Sequence, residues 1–131
     1  MLTSVPEHRV IARNTSAHSD NKIHDDAVAR RLGFRGGLVP GVTVYAYMTR
    51  PILAALGDAW LERGTATVRF VKPVYEDEEL TLRAAPSSAD AAVLEVSALN
   101  PAGEVCAVGT ANLPEGVPLA VALAEYPRVP L

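Results

Sequence analysis

The longest patterned stretch of the chain runs from Gly41 to Gly57. Val42, Tyr45, Thr49, Ile52, Leu53 and Leu56 recur at three- and four-residue steps and mark one face of a helix. Val44, Tyr47, Met48 and Ala54 make much of the opposite face apolar as well. A helix apolar on nearly all sides is expected to be enclosed rather than laid on a surface. Pro51 falls inside the pattern, so the helix should kink there or consist of two abutting segments with Thr49 as a cap. Gly57-Asp58 ends it, and the single Trp60 lies just beyond.

After Gly64 the pattern changes to short β-prone runs: Thr65 to Val71, Glu79 to Ala84, Ala92 to Leu99 and Glu104 to Leu113. Lys72-Pro73, Pro86-Ser87-Ser88 and Asn100-Pro101-Ala102-Gly103 separate them with turn chemistry. Arg9 to Arg13 reads as an earlier short strand. One long helix followed by a meander of antiparallel strands predicts an α+β fold, the sheet wrapping the helix.

Ahead of the long helix lies a shorter one with clear boundaries. Asp25 is placed to be its N-cap, Asp26 suits the positive helix end, Arg30 and Arg31 fall in the last turn, and Gly33 closes it. Val28 and Leu32 are its expected inner face. Ser19, Asp20, Asn21 and His24 therefore precede a helix N-terminus, and Pro40-Gly41 opens the next helix with proline and glycine. Free N–H groups at that end would point at any ligand oxygen nearby.

With 131 residues, nearly half of them hydrophobic, the chain reads as one domain spanning 1–131. From about residue 114 a proline-spaced tail follows (Pro114, Pro118, Pro127, Pro130), either a last edge strand or arm or a loosely packed end. The net charge of −3 gives no support for nucleic-acid binding. Basic residues are concentrated early, with six Lys/Arg against four acids in residues 1–35 and six against eleven afterwards. A phosphate-bearing ligand would prefer the first part. Cys106 is the only cysteine, which precludes an intrachain disulfide and suits a reducing compartment. Its apolar surroundings predict a buried, inert thiol. No signal-peptide core and no apolar run of membrane-spanning length is present, so the expected location is the cytoplasm.

His24 is the leading candidate for chemistry, because an imidazole ordinarily titrates near neutrality and can take or give a proton at cellular pH. Asp20 can orient it or poise a water, and Asn21 can hold the geometry through its amide. The same residues also serve structural ends, His24 opening a helix and Asp20 capping a turn. Ser19 is no nucleophile in a strained Gly-x-Ser-x-Gly elbow. His8 and His18 have no evident partner, and Glu76-Asp77-Glu78-Glu79 reads as a solvated hairpin end. The spacing of His24, Asp20 and Asp25 does not suit a metal site, and no Gly-Lys-Ser/Thr follows the Gly33–Gly41 segment as a phosphate loop requires.

Taken together, Asn21-Lys22-Ile23-His24-Asp25-Asp26, Gly33-Phe34-Arg35-Gly36-Gly37, Pro40-Gly41 and Phe70-Val71-Lys72-Pro73-Val74 resemble the hot-dog fold family of MaoC-like dehydratases and (R)-specific enoyl-CoA hydratases. The resemblance covers roughly residues 10–112. It implies His24 as the catalytic histidine, Asn21 as the loop asparagine and Gly41 as the residue whose backbone N–H polarises a thioester carbonyl, with Val42 beside it. The chain departs from the pattern in three places. Ser19 stands where the family has its aspartate, with Asp20 one position closer; Lys22 replaces a proline, and Pro40 replaces a histidine.

The resemblance further implies water addition to, or elimination from, an enoyl thioester of coenzyme A or an acyl carrier, with no cofactor other than that substrate. Water would sit between Asp20 and His24, the acyl chain would lie near Tyr45 and Met48, and Lys22, Arg30 and Arg35 would meet coenzyme A phosphates. A homodimer is expected, since one helix and one sheet need a partner to cover edge and mouth. Two other functions fit the same fold: an acyl-CoA thioesterase, and a non-catalytic acyl-thioester-binding or structural protein.

Overall fold

The computed structural model describes residues 5–17 and 22–115, and only the backbone at Lys22. Five strands, β1 (His8–Ile11), β2 (Thr65–Phe70), β3 (Glu79–Pro86), β4 (Leu94–Leu99) and β5 (Val105–Asn112), form one antiparallel sheet in the order β1-β3-β4-β5-β2. The three consecutive strands β3, β4 and β5 pair as a meander. The two strands separated from them in sequence close its two sides, β1 on β3 and β2 on β5.

Alternation selects the core face. Leu80, Leu82 and Ala84 of β3 are buried, as are Leu94, Val96 and Ala98 of β4. In β5 the consecutive residues Cys106 and Ala107 are both buried, which strict alternation forbids; a register shift at Ala98/Leu99 explains it.

Three α-helices, α1 (Asp26–Arg31), α2 (Gly41–Leu56) and α3 (Ala59–Arg63), and one 3-10 turn complete the described residues. As the capping residues foretell, the Asp25 side chain accepts from Val28 N–H at 3.1 Å at the start of α1. Gly33, at φ +98°, follows its end. The inner face differs from expectation, however: Ala29 is fully buried while Leu32 is 63% exposed. Val28 is half-buried beside it, and the small alanine takes the most enclosed position.

α2 runs unbroken through Pro51, so the alternative of two abutting segments is not adopted. Thr49 caps nothing; its hydroxyl donates back to the Ala46 carbonyl at 2.6 Å. The side turned to the sheet is Val44, Met48, Pro51 and Ile52, and Val42 is 75% exposed. Enclosure therefore applies to this stripe, and Val42, Ala46, Arg50 and Ala54 remain uncovered. Met48, Ile52, Leu80, Leu82 and Leu94 are the largest fully buried side chains of the core. Trp60, in α3, belongs to the same core. The tail beyond residue 115 lies outside the described residues.

Candidate active site

The segment from Lys22 to Gly41 lies beside the start of α2 and contains few strong core residues. A single 3-10 turn, Lys22–His24, leads into α1, and the returning chain is hydrogen-bonded to it. Leu38 N–H donates to the Ile23 carbonyl at 3.0 Å, and Gly37 N–H to the Asp26 carboxylate at 2.6 Å. The approach at Gly37 is so close that a Cβ there would lie 2.2 Å from the His24 carbonyl oxygen. Only glycine fits. Farther along, Val39 N–H bonds to the Val74 carbonyl at 2.8 Å, tying the segment to the β2–β3 connection.

These ties fix the imidazole. His24 Nδ1 lies 2.6 Å from the Leu38 carbonyl oxygen. A carbonyl only accepts, so Nδ1 carries the proton, and in the neutral ring the lone pair is on Nε2. Among the described residues Nε2 has no partner. It is the nitrogen available to exchange a proton.

His24 lines a cavity of about 330 Å³ together with Phe34, Leu38, Val39, Gly41, Val44, the Phe70–Val74 run and Cys106. Gly41 brings the N-terminus of α2 to the same wall. Thr43 and Val44 N–H groups bond to the Pro40 carbonyl, whereas those of Gly41 and Val42 have no acceptor among the described residues. Pro40 supplies no side-chain cap. The helix thus begins with two open donors, at its electropositive end, beside the imidazole's cavity. The Phe70 ring closes over Gly41, where a Cβ would lie 3.0 Å from it. Larger depressions, of about 610 Å³ on the outer face of the sheet and about 600 Å³ by the Tyr75–Glu78 turn, contain no histidine and no helix start.

Not all of the expected residues are among those that line the cavity or are described. Ser19, Asp20 and Asn21, and His18 with them, fall outside the described residues, as does the Lys22 side chain. Met48 is fully buried in the core and Tyr45 half-buried; neither lines the cavity, whose helical wall is Val44. Arg30 and Arg35 do not line it either. Arg30 Nε donates to the Arg35 carbonyl at 3.1 Å, and the Arg35 guanidinium stacks 4.3 Å from the Tyr75 ring centre and reaches Glu78 at 3.4 Å. Glu78 is correspondingly less solvated than a hairpin end suggests, its side chain being 14% exposed.

The cation on the cavity wall is Lys72, paired with Glu104. That pairing, with an Asn100 hydrogen bond, lowers the Glu104 carboxyl below its ordinary range. Cys106 is buried, as the apolar pattern predicts, and burial raises its thiol above the ordinary value. The Phe-x-Lys-Pro-Val run was the sequence signal for Lys72. Among the described residues no group of three His, Cys, Asp or Glu is arranged to hold a metal, and no helix is long and apolar enough to cross a membrane.

No protein-family model and no curated protein sequence matches the chain. Solved structures do. The R-hydratase PhaJ1 from Pseudomonas aeruginosa is 20% identical with a TM-score of 0.60, over 100% of this chain and 92% of that one. A chain of the ChsH1-ChsH2 complex from Mycobacterium tuberculosis is 15% identical with a TM-score of 0.66, over 87% and 98%. A MaoC-like dehydratase from Phytophthora capsici is 18% identical with a TM-score of 0.68, over 87% of this chain but only 43% of its own. The chain has the hot-dog fold that these MaoC-like dehydratases and hydratases share.

Proposed function

We propose that the chain is an enoyl-thioester hydratase or dehydratase acting on an acyl group carried by coenzyme A or an acyl carrier. The observation that carries this reading is a small apolar cavity lined by a tautomer-fixed His24 and by Gly41, where α2 begins with the open N–H groups of Gly41 and Val42. In hydration the water oxygen bonds to the β-carbon of the enoyl group, and the alkene electrons move through the α-carbon to the thioester oxygen. One of His24 and Asp20 takes the water's proton and the other delivers a proton to the α-carbon. The Gly41 and Val42 donors meet the enolate-like oxygen, and a preorganised donor of this kind is worth about 3 kcal/mol. The chemistry calls for no cofactor beyond the thioester itself.

A homodimer suits the surface. β2 is the last strand of the sheet order; its final residue Phe70 and the following Val71 are each 52% exposed, and Val42 is 75% exposed. Two structural neighbours, ChsH1-ChsH2 and HadBC, are themselves complexes.

Crotonyl-CoA, followed for enoyl absorbance and free thiol together, tests the reading, with Asp20→Asn alongside. Loss of absorbance without thiol, abolished in the variant, is expected. Thiol release would replace the reading with a thioesterase, and silence in both channels would leave acyl-thioester binding.

A further inference from the structure

We infer that Asn14 is a positioning residue for His24, acting through the backbone and not through substrate. The inference rests on the hydratase reading for its kinetic consequence and on the structure alone for its spectroscopic one. Asn14 lies three residues beyond the end of β1 and, among the described residues, is the polar residue that is buried, at 9% exposure. An amide in such a place must use both its ends. Its Nδ2 donates to the His24 carbonyl at 2.7 Å, and its Oδ1 accepts from Ser16 N–H at 3.1 Å.

One side chain thereby grips both ends of the connection that leads to the imidazole. The His24 carbonyl precedes the N-cap Asp25, outside the α1 ladder, and among the described residues it receives no other donor. Gly37 completes the junction: a Cβ there would lie 2.2 Å from the His24 oxygen and 2.9 Å from Asn14 Nδ2. Three chain segments meet at this point. A rotation of the backbone about the His24 Cα would swing the ring off the Leu38 carbonyl and release the tautomer that leaves Nε2 free. Asn14 opposes that rotation with a hydrogen bond that no hydrophobic neighbour can replace.

The test compares Asn14→Ala and Asn14→Asp with the parent chain and with His24→Ala. In the parent, the imidazole ¹H–¹⁵N spectrum should show His24 protonated at Nδ1 and slow to exchange; in Asn14→Ala that signal should be lost or averaged between tautomers. With crotonyl-CoA, kcat should fall roughly 10- to 100-fold with KM nearly unchanged, the order expected for a misplacement near 1 Å. Asn14→Asp supplies a rescue that a merely structural role would not show. Its ionised carboxylate repels the His24 carbonyl, whereas its protonated form can donate to it. Its activity relative to the parent at the same pH should therefore climb as pH falls toward about 5, while that of Asn14→Ala stays flat.

An unchanged Nδ1–H signal in folded Asn14→Ala, or parent-like kcat in both variants while His24→Ala is inactive, would overturn the inference and leave the hydratase reading standing. If His24→Ala matches the parent, the hydratase reading fails, and the spectrum still decides whether Asn14 holds the ring.

Discussion

The β3–β4–β5 meander with α2 and the Lys22–Gly41 segment are built on different physics. In the first, Leu80, Leu82, Leu94, Val96, Met48 and Ile52 share one core, and each contact is one of many. In the second, single directional bonds hold the chain: Asn14 to His24, Gly37 to Asp26, Leu38 to Ile23 and His24 to Leu38. Hydrophobic packing is non-directional and tolerates adjustment, so it sets stability; a hydrogen bond fixes an orientation, so it sets the site. Substitutions in the two regions should separate stability from chemistry.

The sharpest contrast comes from Leu82→Ala, which removes a fully buried side chain of the meander. It should lower stability in urea by about 2–5 kcal/mol while the folded fraction keeps its kcat. Gly37→Ala should do the reverse. With no room for a Cβ beside the His24 oxygen, hydration should drop on the order of 100-fold, against a stability loss of about 1–3 kcal/mol. Asp25→Ala removes the cap on Val28 N–H and should cost about 1 kcal/mol in the same denaturation series.

Smallest is the effect at Cys106. Burial raises its thiol pKa, so the folded state keeps a proton that the unfolded state gives up first. The associated stability is fully present below the ordinary thiol value of about 8.5 and is lost as pH rises through the folded one. Native protein should react with iodoacetamide far more slowly than urea-unfolded protein at pH 8.5, and its stability should begin to decline only in more alkaline solution; equal alkylation rates would contradict the burial.

The same division explains what the sequence made legible. Strand positions were readable because alternation and turn residues are local: the run expected at Thr65 to Val71 is Thr65–Phe70, and that at Glu104 to Leu113 is Val105–Asn112. The helix from Gly41 was equally plain, yet its inner face was not. Apolar residues occupy both candidate stripes, and only the sheet chooses Val44-Met48-Ile52 over Val42-Tyr45-Thr49. At the site, His24 and Gly41 stood out through motif order. Asn14 did not, although Asn14-Thr15-Ser16 carries the local signal of a polar turn, because its decisive bond is to a residue ten positions farther along the chain. Lys72 likewise becomes part of the cavity only when the β2–β3 connection folds against α2. Charge in sequence does not reveal pairing: the Tyr75 ring and Glu78 engage Arg35, and neither Arg30 nor Arg35 lines the cavity.

The most direct test of the central claim is His24→Ala, measured for crotonyl-CoA hydration and thermal unfolding beside the parent chain. The account predicts a fall in rate of about 100-fold or more with the fold retained, the scale at which a positioned acid–base group contributes. Hydration at the parent rate in a folded His24→Ala protein would contradict it.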